Sequence, residues 1–141
     1  MSPVRLWFLI AILLCLGCAS TGGDPVDVPP STPPDAATVA LLTGTWQGIS
    51  HADNGLDDYL TFEFFPSGEF LRVRVFLNDG PLATPYADIQ GDRLTIDAAD
   101  TSGTSGTFTG DLDRPNLKIT GDFTSHINGS DQTGTFDVEK Q

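Results

Sequence analysis

The side chains whose types could do chemistry are two imidazoles and a set of carboxylates: His51 and His126, with Asp53, Asp57, Asp58, Asp79, Asp100 and Asp131. Imidazole nitrogen with carboxylate oxygen is a donor set for Zn²⁺, and carboxylates alone suit Ca²⁺. The run Asp53-Asn54-Gly55-Leu56-Asp57-Asp58 has the composition of a calcium loop, but no Glu stands at its twelfth position and no helices flank it. Asn-Gly is first of all a hairpin-turn dipeptide, because Gly accepts positive φ, so solvated turns are favoured over a resident metal. No motif implies a cofactor. For catalysis, the hydroxyl-rich Thr101 to Thr109 (TSGTSGTFT) contains no Gly-x-Ser-x-Gly elbow opening a helix, and no phosphate cradle occurs. A non-enzymatic protein is expected. Arg72 and Arg74 could hold an anion, but pairing with Glu63 and Glu69 on neighbouring strands is the simpler use.

The remaining chemistry lies near the N-terminus, in Cys15 and Cys18. Arg5 precedes an apolar run of 11 residues from Leu6 to Leu16, the length of a signal-peptide core. A spanning helix needs about 20 apolar residues, and Ala19, Ser20 and Thr21 interrupt first. Leu16-Gly17-Cys18 resembles the lipobox of bacterial lipoproteins, departing from it at Cys15, where that family prefers Leu, Val or Ile. The resemblance implies cleavage before Cys18, a diacylglyceryl thioether on its sulfur, and a membrane-anchored, palmitate-type lipoprotein of the cell envelope. Ala19, in place of the Asp that retains such proteins at the inner membrane, implies the outer membrane in a two-membrane host. Each buried CH₂ contributes about 0.8 kcal/mol, so two or more chains anchor stably without any spanning segment. Cys15 and Cys18 also spell Cys-x-x-Cys, but the pair sits inside the apolar leader and no second Cys or His pair completes a zinc shell, so neither a redox nor a zinc role is expected.

These signals divide the chain into a leader at 1–17, lipidated Cys18 with a linker at 18–40, and a domain at 41–141. The linker holds Pro25, Pro29, Pro30, Pro33 and Pro34 and is expected to be a disordered spacer, with one or two helical turns at 36–42 leading into the domain. Net charge is -12 for the whole chain; loss of Arg5 leaves 6 basic against 19 acidic residues, or -13. Such a field excludes nucleic acid as a partner of the folded surface.

From residue 44 the pattern is all-β. Leu60, Phe62 and Phe64 alternate with Tyr59, Thr61 and Glu63, and Leu71, Val73 and Val75 alternate with Arg72 and Arg74, the two-residue period of half-buried strands. Eight strands are predicted, at about 44–51, 58–65, 69–77, 84–90, 92–98, 104–112, 116–125 and 132–140. Joined consecutively they form an antiparallel up-and-down meander that closes most simply as an eight-stranded barrel, with a sandwich as the alternative. Alternating direction then puts the connections at 51–57, 78–85, 99–103 and 126–132 at one elaborated rim, with His51, Asp53, Asp57, Asp58, Asp79, His126 and Asp131 as binding candidates.

Gly44-Thr45-Trp46 opening the first strand resembles the lipocalin-like (calycin) barrels, whose Trp packs in the closed base. The resemblance implies that Lys140, at the end of the last strand, packs over Trp46. Two functions stay open: a non-enzymatic envelope lipoprotein whose rim contacts a protein or glycan, or a lipocalin-like carrier of a small apolar ligand. Phe62, Phe64, Phe108, Phe123 and Phe136 are enough to fill a barrel of this size, which favours the first.

Overall fold

The structure is a computed structural model and describes residues 28–99, 103–127 and 129–141. The leader and Cys18 lie outside the described residues, as does Asp100. Residues 28–35 carry no regular structure, and α1 (Ala36–Leu42) follows, crossing the linker boundary drawn at residue 40. Its start is set by Asp35, whose carboxylate accepts from both the backbone N–H and the hydroxyl of Thr38, each at 2.8 Å. Those bonds, the backbone one foremost, hold the Asp35 carboxyl below the usual carboxylate range. Its end is set at Thr43, whose N–H and hydroxyl both donate to the Val39 carbonyl.

Among the described residues nine strands follow: β1 (Gly44–Ala52), β2 (Asp57–Ser67), β3 (Phe70–Leu77), β4 (Gly80–Ala83), β5 (Ala87–Gln90), β6 (Arg93–Ala99), β7 (Ser105–Asp113), β8 (Lys118–Ile127) and β9 (Ser130–Lys140). They form one antiparallel sheet in the order β4-β3-β2-β1-β9-β8-β7-β6-β5, so the two-sheet sandwich is excluded. Its two edge strands are separated in sequence only by residues 84–86, a reach of at most about 14 Å. The sheet must therefore curl until its edges stand side by side. Tyr86 forms a bridge with Arg72, and Val73 donates its N–H to the Pro85 carbonyl at 3.0 Å, tying the edges together.

The count is nine rather than the expected eight because the strand drawn at 84–90 is broken and begins earlier. β4 pairs with β3 across a register shift at Val75/Phe76, and the chain then crosses to pair with β6 as β5. Pro81 and Pro85 have no N–H to give a ladder, which permits the pairing to change partner after β4 without leaving a donor unpaired at either position. The elaborated rim is also corrected. Asn78 and Asp79, at φ 49 and 64, make a tight turn directly after β3, and β8 and β9 extend to Ile127 and Ser130. Antiparallel pairing runs to Leu77↔Gly80 and to Ile127↔Ser130, so the connection drawn at 78–85 is a tight turn followed by β4 and the crossing to β5, and the one drawn at 126–132 is mostly paired strand.

The inner face is aromatic. Phe62 stands edge-on to Phe64, Phe108 and Phe136 at centroid distances of 6.0, 5.3 and 5.8 Å, and Phe64 continues to Trp46 at 6.4 Å. Such edge-to-face pairs add roughly 0.5–1.5 kcal/mol each beyond area burial. Glycine makes room for the rings: a Cβ on Gly110 would lie 2.9 Å from the Phe136 ring, and one on Gly134 2.8 Å from Phe123 and 2.0 Å from the His51 carbonyl.

Candidate functional site

The two ends of the curled sheet differ in chemistry. At one end, the base, α1 lies across the opening with Leu42 and Thr38 fully buried. Trp46 donates its indole N–H to the Leu42 carbonyl at 2.9 Å, and Lys140 Nζ donates to the Leu41 carbonyl at 2.6 Å while standing 6.0 Å from the Trp46 ring centroid. Both satisfy helix-end carbonyls that otherwise have no partner. Arg114, between β7 and β8, donates to the Thr38 hydroxyl at 2.9 Å and to Asp92 at 2.6 Å. The base is thus shut by a helix pinned from three strands' ends, and residues 31–35 leave it beside the β5–β6 turn.

At the other end stand the carboxylates and imidazoles, paired locally. His51 Nδ1 lies 2.8 Å from Asp57, and His126 Nδ1 2.7 Å from Asp131, each pair exposed. Asp53 accepts from the Thr133 hydroxyl at 2.6 Å, and Asp79 forms the tip of the β3–β4 turn. The two imidazoles do not meet: His51 aligns with Thr135, which aligns with Asp122, four residues from His126 and so roughly 13 Å further along the strand. Among the described residues no three His, Cys, Asp or Glu side chains converge as a metal shell would require.

Asp58 differs from its neighbours. It shares inward parity with Leu60, Phe62 and Phe64, so its carboxylate faces the mouth, where Asn78 Nδ2 donates to it at 2.5 Å. Ser50, Ser125 and Gln132 are inward-facing at the same level and were not anticipated. The signal was available: the alternation that places Trp46, Phe123 and Phe136 inside continues unbroken to these polar residues. They surround a cavity of about 20 Å³ above Phe108 and Phe123, room for one water-sized group. Among the described residues, Phe62, Phe64, Phe108 and Phe136 pack against one another in the interior.

Arg74 contacts Glu63 at 3.5 Å and lies 4.5 Å over the Phe65 ring, whereas Arg72 lies 4.1 Å over Tyr86 and donates to the Thr84 carbonyl. Both arginines cover aromatic rings on the outer face.

No protein-family model matches the sequence, and no curated protein matches it either. Solved structures do resemble it. A redesigned β-barrel superposes at TM-score 0.58, with 20% identity over 73% of this chain and 94% of that one. EF1p2_mFAP2b bound to DFHBI gives 0.54, with 20% identity over 72% and 95%. A de novo designed fluorescence-activating β-barrel also gives 0.54, with 15% identity over 74% and 97%. At these identities the likeness establishes the fold alone: this chain is an antiparallel β-barrel.

Proposed function

We propose that the chain is a membrane-anchored envelope lipoprotein, a non-enzymatic binding module that holds an up-and-down barrel away from the bilayer and contacts a partner with its rim. The carrying observation is polarity along the barrel axis. The N-terminal segment that would lead to lipidated Cys18 leaves from the helix-closed base, so the polar mouth faces the other way. A partner reaching the domain from beyond the membrane therefore meets His51, Asp53, Asp57, Asp58, Asp79, His126 and Asp131 first.

The second reading, a carrier of a small apolar ligand, draws support from EF1p2_mFAP2b, a barrel of like fold that is bound to DFHBI. Against it stands the packed interior, where an apolar ligand would have to displace Phe62, Phe108 or Phe136. A photo-crosslinker at Asp79 and another at Glu139, near the base, separate the readings in the native host. The rim reading predicts a discrete adduct from position 79 and none from 139. Equal adducts from both positions, or none from either, would overturn it.

A further inference from the structure

Asn54-Gly55 turns the chain between β1 and β2, and the geometry of that turn gives the dipeptide a chemistry of its own. The Ala52 N–H donates to the Leu56 carbonyl at 2.9 Å, and the Gly55 N–H to the Ala52 carbonyl at 2.9 Å. With Gly55 at φ 87, Asp53, Asn54 and Gly55 form a three-residue hairpin loop that ends in a left-handed residue. Asn54 and Gly55 are both exposed.

The Asn54 side chain folds back along its own backbone, where Oδ1 accepts from the Leu56 N–H at 3.0 Å. The ring closed by this bond runs through the Gly55 peptide, so it keeps Cγ on the side of the Gly55 nitrogen. An N–H at 3.0 Å is also placed to stabilise the oxyanion that Oδ1 becomes if that nitrogen adds to Cγ. Gly55 carries no side chain, and beyond its chain neighbours no atom stands within 4 Å of where one would begin. One feature resists: the Gly55 nitrogen must give up its bond to Ala52 before it attacks.

We propose that Asn54 is a site of spontaneous deamidation, which places a further carboxylate at the rim. The Gly55 nitrogen, its proton lost to hydroxide, attacks Asn54 Cγ. A C–N bond forms, the Cγ–Nδ2 bond breaks, and Nδ2 leaves as ammonia with a proton from water, which returns the hydroxide. Water then opens the resulting succinimide at either carbonyl. Opening at Cγ breaks its bond to the Gly55 nitrogen and yields aspartate; opening at the backbone carbonyl breaks the original peptide bond and yields isoaspartate. Aspartate adds charge beside Asp53, Asp57 and Asp58 and keeps the backbone. Isoaspartate lengthens the loop by one carbon, and Asp53 ties that loop to β9, its N–H donating to the Thr133 carbonyl at 2.8 Å and its carboxylate accepting from the Thr133 hydroxyl at 2.6 Å. The step needs only water and no partner, so it stands apart from the rim-contact reading.

The full chain in detergent is aged in mildly alkaline buffer, alongside the same chain unfolded in guanidinium, and both are mapped peptide by peptide by mass spectrometry. Asn54 in the folded chain is expected to convert no more than threefold slower than in the unfolded chain, and to give both products. Asn78 and Asn116, which precede Asp79 and Leu117, should convert at least tenfold more slowly than Asn54. Asn54→Gln keeps an exposed amide but lengthens the ring that must close, and should cut conversion at that position at least tenfold. Folded-state conversion at Asn54 more than threefold slower than in guanidinium would overturn the proposal, because the Ala52 carbonyl would then be protecting the nitrogen. Equal conversion at Asn54, Asn78 and Asn116, or an undiminished rate in Asn54→Gln, would overturn it as well.

Discussion

Arg114 donates to the hydroxyl of Thr38 at 2.9 Å, across 76 positions of sequence, so a turn late in the barrel fastens the helix that precedes its first strand. Thr38 is fully buried, and its hydroxyl also donates to Asp35, which leaves no slack in the arrangement. Side-chain bonds of this kind contribute about 0.5–1.5 kcal/mol each, more when one partner is charged. Arg114→Ala is expected to destabilise the domain by about 1–2 kcal/mol, and a double-mutant cycle with Thr38→Val to return a coupling of about 1 kcal/mol. Urea denaturation measures both, and additive single effects would show that the helix is not held through this pair.

Asp35 supplies a pH dependence whose sign can be stated. Its hydrogen bonds to Thr38 hold its carboxyl below the usual range, so it favours the folded state when ionised. That contribution is fully present above the carboxyl's unfolded value and is lost as pH falls through its lower folded value. Asp35→Asn should therefore melt below the native chain at pH 7, with the gap narrowing under acid conditions. A gap that stays constant with pH would contradict the assignment.

Phe62 tests whether the interior is solid. It meets three other rings, and Phe→Ala at such a site costs about 3–5 kcal/mol. Beyond this loss, Phe62→Ala should create an apolar cavity able to bind a small hydrophobic dye, while the native chain should bind none. Fluorescence titration provides the readout, and tight dye binding by the native chain would favour the carrier reading.

Gly134 tests how closely strands β1 and β9 approach. A methyl group there would lie 2.0 Å from the His51 carbonyl and 2.8 Å from the Phe123 ring, with backbone as the obstacle. Gly134→Ala should destabilise by about 3 kcal/mol or prevent folding, at or beyond the upper end of ordinary overpacking. Thermal unfolding within a degree of the native chain would show that the curvature at this point is softer than the packing suggests.

The parts of the fold written in alternation were legible in the sequence. Leu60-Phe62-Phe64 and Leu71-Val73-Val75 state their inward face directly, because a one-residue slip would turn every one of them to solvent. The break between β4 and β5 was not legible, since it depends on which neighbour each half pairs with, a long-range choice that Pro81 and Pro85 permit but do not specify. The tight turn at Asn78-Asp79 was hidden for another reason: two non-glycine residues adopt positive φ there. Among site residues, Asp58 was noticed for its charge but not for its inward parity. Ser50, Ser125 and Gln132 carry no motif in the sequence, because only the curled sheet brings these strand ends around one cavity.

The central claim is that the barrel works from the end of a lipid anchor, and the intact mass of the mature protein from its native membrane tests it most directly. The account predicts a chain beginning at Cys18 and heavier than its sequence by a diacylglyceryl group, with or without a further acyl chain on the new N-terminus. A species that retains residues 1–17, or one that begins at Cys18 with a free thiol, would contradict it.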